Sequence, residues 1–110
     1  MSNSLPKLVR DYIPKIIEET GSTCTVSYVN NGKEHVRWLK SKMLEEISEF
    51  IDEPTYNEAA DMVEVVKALC YLNGLEWETV LGTAMNKQET HGGFYRGTVL
   101  ETVDYRMNDA

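Results

Sequence analysis

Between Lys33 and Leu72 apolar residues recur with a helical period that is broken once, at Glu53-Pro54. The residue before a proline avoids helical angles, so one helix must end near Asp52 and a second begin almost at once. Thr55-Tyr56-Asn57-Glu58 fits a capping box, and Asn73-Gly74 is a common C-terminal pair. Two helices joined by so short a connection fold back as antiparallel neighbours. This hairpin limits what the rest of the chain can do.

The hairpin carries five acids in two ladders, Glu45-Glu46-x-x-Glu49 and Glu58-x-x-Asp61. Stepping about 100° per residue shows where they point. In the second helix Val65, Leu69 and Leu72 define an apolar stripe flanked by Met62 and Ala68, and its backward extension lands on Asp61 and Glu58. In the first, the stripe is Val36, Leu39, Met43, Ile47 and Phe50; Glu46 falls on its edge, with Glu49 and Glu45 progressively further round. The expected arrangement is a fan from interface to rim. Carboxylates taken out of water protonate, pair with a cation or bind metal. Something positive belongs between these helices.

Elsewhere the pattern is plainer. Leu5 to Gly21 reads as an entry strand or loop leading into a short helix, with Pro14 at an early helical position, an apolar face of Ile13, Ile16 and Ile17, and Gly21 as the stop. Arg10-Asp11 before it suits an N-terminal cap with a surface pair, or an arginine reaching a phosphate. Ser22 to Tyr28 predicts a short extended segment closed by Asn30-Asn31-Gly32. A fourth helix is expected over about Leu75 to Thr90, with Trp77, Val80, Leu81, Ala84 and Met85 at core spacing and His91-Gly92-Gly93 ending it. Phe94 to Val103 alternates loosely, as an extended arm would. The predicted fold is therefore all-α: a small antiparallel bundle of about four helices, with short extended segments near the N-terminus and at the C-terminus.

A chain of 110 residues suits one domain, residues 1–110, with one core. Its net charge of −7 argues against general nucleic-acid binding, which needs a positive surface, but not against a nucleotide bound through metal. Cys24 and Cys70 lack metal-ligand spacing and read as reduced thiols. With no apolar signal core in residues 1–6 and no run of membrane-spanning length, the expected location is the cytoplasm, with no membrane partner.

Clustered carboxylates without His or Cys make a hard-oxygen site, which favours Mg²⁺, with Mn²⁺ as a substitute, over zinc. Magnesium keeps positions for water and substrate phosphates, so phosphoryl or nucleotidyl chemistry follows. A glycosidase needs two carboxylates across a cleft, not a ladder on adjacent turns.

The two ladders resemble the EExxE…ExxD signature of the all-α nucleoside triphosphate pyrophosphohydrolases, the MazG-like group that includes phosphoribosyl-ATP pyrophosphohydrolase. Leu8-Val9-Arg10-Asp11-Tyr12-Ile13-Pro14-Lys15-Ile16-Ile17 resembles the LVRDxIPxII opening of a MazG-like subgroup, Lys42-Met43-Leu44-Glu45-Glu46 its KLxEE, and Lys87 with Gly92-Gly93-Phe94 its closing elements. These motifs span most of the chain in the right order. The resemblance implies Mg²⁺ held by Glu46, Glu49, Glu58 and Asp61, and attack of water at the α/β phosphate linkage to give a nucleoside monophosphate and pyrophosphate. Catalytic roles fall on Glu45 and Glu49; Glu45 either orients or deprotonates the water, or is simply solvated. Eight residues separate Glu49 from Glu58, fewer than in many members of the family.

On the substrate side, Lys87 and Arg96 are candidates for the pyrophosphate end, and Asn86 for a hydrogen bond; a solvated surface role suits each as well. Arg10 and Lys42 join them as candidate substrate contacts. Trp38, Lys42, Glu45 and Glu49 share one side of their helix, so the Trp38 indole suits either stacking on a base or core packing, with Phe94 and Tyr95 as alternatives for the stack. A homodimer or larger homo-oligomer is implied by the resemblance. Phosphoribosyl-ATP hydrolysis, and a non-catalytic helical interaction protein stapled by metal, are the alternative functions.

Overall fold

The computed structural model describes residues 5–106. It is all-α, with four helices and no strand among the described residues: α1 (Ile13–Glu19), α2 (Gly32–Asp52), α3 (Tyr56–Leu72) and α4 (Trp77–His91). The described residues fall into two compact units, one up to Trp77 and one from Glu78.

In the first unit each helix boundary has a local cause. Pro14 sits in the first turn of α1, and Gly21, at φ 90°, follows its end. Tyr12 rather than Asp11 holds the N-cap position of α1, with no side chain capping it. Asn31 accepts the Glu34 N–H at 2.8 Å and starts α2. Thr55 does the same for α3, accepting the Glu58 N–H at 3.1 Å. At the other end of α3 the Leu75 N–H bonds the Cys70 carbonyl and the Gly74 N–H bonds that of Tyr71, a Schellman closure that needs the positive φ of 71° found at Gly74.

Helices α2 and α3 pack on each other as the hairpin that Pro54 predicts. Their buried side chains are few: Leu39 is 3% exposed, Val65 7% and Cys70 8%, and Glu46, at 3%, is as deep as any of them. The buried line of α2 thus runs through Leu39 and Glu46, two turns apart. Val36 and Ile47, expected on the apolar stripe, are instead 37% and 40% exposed. The helix is turned so that Glu46 enters the seam, which its pairing with Lys42 makes tolerable.

Residues 22–30 and 92–106 hold no helix or strand, so the short segment expected at 22–28 is not part of a sheet and the chain after α4 runs on, over its described residues, as an irregular arm. A strand needs a ladder partner, and no second strand lies among the described residues. In the second unit Leu81, Ala84 and Met85 of α4 are exposed, although their spacing suits a core. Among the described residues that unit contains no other helix to cover them. Trp77, which closes the first unit, is half-buried with the Lys67 ammonium 6.0 Å from its ring centre. No helix among the described residues is long and apolar enough to cross a membrane.

Candidate metal centre

The geometry of the hairpin decides which acids meet. Glu46 lies six residues before the end of α2, and Asp61 five residues after the start of α3. At 1.5 Å per residue these are about 9 Å and about 7.5 Å from the connection, so antiparallel packing sets them opposite each other. Glu49 and Glu58 face each other by the same reasoning, nearer the turn. Glu46, Glu58 and Asp61 each present an oxygen within 4.8 Å of the others.

Charge around this trio is only partly balanced. The Lys42 ammonium lies 2.9 Å from Glu45 Oε1 and 3.1 Å from Glu46 Oε2. Burial disfavours the charged Lys42, but its hydrogen bonds to Glu45 and Glu46 outweigh that and raise its pKa. The Arg10 guanidinium donates to Asp61 Oδ1 at 2.8 Å, which raises the arginine pKa further. Two carboxylate oxygens have no hydrogen-bond partner although they are buried: Glu46 Oε1 and Glu58 Oε2. Leaving such atoms unsatisfied is costly. A proton or a cation completes them.

Glu58 records this crowding. Desolvation, the proton that Glu58 can share with Glu46, and the charges of Glu49, Glu46 and Asp61 push its pKa up from 4.5 to about 7. Folding thus raises the proton affinity of this carboxyl. Between pH 4.5 and about 7 the folded chain holds a proton that the unfolded chain has lost, so stability falls as pH rises through that window and is level above it. In chelator, the unfolding temperature is expected to decline across this range as far as Glu58 determines it. With Mg²⁺ the trend reverses, because the proton and the metal compete for the same carboxylates. Melting curves at a series of pH values, with and without Mg²⁺, check both arms. A metal-induced shift that does not shrink below about pH 7 would contradict the proton competition.

The structure therefore brings together three of the four expected ligands. Glu49 is half-buried and close enough for its charge to act on Glu58, yet it stands outside the tight trio. The expected fan is reordered: Glu46, placed at the seam by its phase, is the deepest acid, whereas Asp61 retains 28% of its side-chain exposure. Glu45 is less exposed than its helical phase predicts. Its side chain is 13% exposed and pairs with Lys42, one turn earlier, at 2.9 Å.

Lys42 and Arg10 are thus placed on the acids. The Lys42 pairing was readable from i, i+3 and i, i+4 spacing. No sequence signal joins Arg10 to a residue 51 positions away. Trp38 is half-buried on α2. Asn86, Lys87 and Arg96 belong to the second unit and are exposed, so a substrate role for them rests on the sequence alone.

The residues fit a hard divalent cation: three carboxylates from two helices, no nitrogen or sulfur donor among them, and two orphaned buried oxygens. This is an all-helical protein with an acidic cluster able to hold a metal ion such as Mg²⁺. Comparison with known proteins adds no identity, since no family model, no curated protein and no solved structure matches the chain.

Proposed function

We propose that the chain is a Mg²⁺-dependent nucleotide pyrophosphohydrolase of the MazG-like kind, cleaving a nucleoside triphosphate or related nucleotide between its α and β phosphates. The products are a nucleoside monophosphate and pyrophosphate, and the role is removal of an unwanted or excess nucleotide. One observation carries this reading. The acids that converge in space, Glu46, Glu58 and Asp61, belong to the ladders on which the motif resemblance rests.

When bound, Mg²⁺ supplies charge neutralisation for the phosphates and lowers the pKa of water. Glu46, Glu58 and Asp61 would hold it, with Glu49 adding oxygen from the facing turn. Glu45, which pairs with Lys42 at 2.9 Å, would be the acid that orients or deprotonates the attacking water. A homo-oligomer suits the exposed flank of α2, where Val36, Leu44, Ile47 and Ile51 share one side of the helix.

The test is a panel of canonical, deoxy and modified nucleoside triphosphates incubated with the purified protein and Mg²⁺, with pyrophosphate as the readout. Release that stops on chelation is the expected result. Absence of release from every nucleotide, with Mg²⁺ still raising the unfolding temperature, would favour the metal-stapled interaction protein.

A further inference from the structure

The ion pairs on the acid cluster follow a pattern. Lys42 holds Glu46 by Oε2, and Glu46 Oε1 is left buried and without a partner. Arg10 holds Asp61 by Oδ1 through a single contact at 2.8 Å, which leaves the second oxygen for another charge. In each case a basic side chain takes one oxygen of a carboxylate in the trio. Fixing one oxygen fixes the plane of the carboxylate and the direction of the other.

We propose that Arg10 is a positioning residue for the metal centre: from the segment before α1 it holds Asp61 Oδ1 so that the remaining oxygen is presented to a cation shared with Glu46 and Glu58. This rests on reading those three acids as metal ligands. Asp61 needs such help more than Glu46 does, because Glu46 is enclosed by the helix seam whereas the Asp61 side chain is 28% exposed and has room to turn. Arg10 is itself held near the cluster by more than one charge, since Glu64 and Glu46 add to the attraction of Asp61. Glu64 lies three residues beyond Asp61, about one turn along α3.

The pair itself adds little to folding. With the Arg10 side chain 52% exposed, it belongs to the class of surface ion pairs whose effect on stability is small. A stabilising strut and a positioning residue therefore predict different things. Loss of a strut lowers the unfolding temperature, whereas loss of a positioning residue lowers metal affinity at nearly constant stability.

The experiment compares wild type, Arg10→Gln and Arg10→Lys, each stripped of metal and titrated with Mn²⁺ alone, with free Mn²⁺ followed by electron paramagnetic resonance. Unfolding temperatures are measured in chelator. The expected result is a dissociation constant about 10- to 100-fold weaker for Arg10→Gln. Arg10→Lys, which keeps one charged donor, should recover part of that loss. Unfolding temperatures of all three should agree within a few degrees. Mn²⁺ binding by Arg10→Gln as tight as wild type or tighter would overturn the proposal and make Arg10 a competitor of the cation for Asp61. A large fall in unfolding temperature with both variants would overturn it in favour of a strut. A folded wild type that binds no Mn²⁺ removes the metal reading itself, and this inference with it.

Discussion

Replacing Asp61 with asparagine is expected to lower the proposed release of pyrophosphate by about a thousandfold or more. The substitution keeps the shape of the side chain and one carbonyl oxygen, but it removes a negative charge from a trio whose oxygens lie within 4.8 Å of each other. It also takes the carboxylate from Arg10. Metal-ion stabilisation of phosphoryl charge is worth several kcal/mol, and each loss of about 1.4 kcal/mol is tenfold in rate. Turnover measured across Mg²⁺ concentrations checks this. Activity within tenfold of wild type at modest Mg²⁺ would mean that Asp61 is not a ligand.

Glu46→Gln is expected to stabilise the metal-free protein. In chelator, Glu46 Oε1 and Glu58 Oε2 are buried without partners, and an unsatisfied buried polar group costs about 1 to 3 kcal/mol. Glutamine removes one charge from the crowded seam and brings an amide that can donate to Glu58, while its carbonyl accepts from Lys42. Lys42 also keeps Glu45 at 2.9 Å. A net gain of about 1 kcal/mol corresponds to a rise of about 4 to 8 °C in unfolding temperature for a domain near this size. The same variant should lose the upward shift that Mg²⁺ gives the wild type. A lower unfolding temperature in chelator would show that the Lys42–Glu46 pair outweighs the repulsion.

Much of this was readable in the chain because it is local. The break at Pro54, the Thr55 cap and the Gly74 stop act within a few residues, and each does in the structure what its residue type requires. The convergence of the two acid ladders followed from helical phase plus one short connection. Less legible was the rotation of α2, since phase alone ranked Val36 and Ile47 with Leu39 and put Glu46 at the edge. A pattern of apolar residues cannot weigh a paired charge entering the seam. Glu45 lies furthest from the stripe by phase, yet its side chain is 13% exposed and paired with Lys42, a local pairing that ranking by phase alone leaves out. The segments at 22–28 and 94–103 carry no helix, as their patterns predict, but strand propensity at 22–28 could not say whether a partner strand exists, and none lies among the described residues. Arg10 was beyond reach in another sense, its partner being fixed only by tertiary docking.

The connection at residues 53–55 has an entropic corollary. Every acid of the trio lies between Glu46 and Asp61, so closing the α2–α3 turn gathers the whole ligand set at the small entropy cost of a short loop. The Arg10–Asp61 bond closes a loop of 51 residues. The ligand set and the Lys42 counter-charge are thus contributed by the hairpin itself, whereas the Arg10 counter-charge depends on a contact far along the chain.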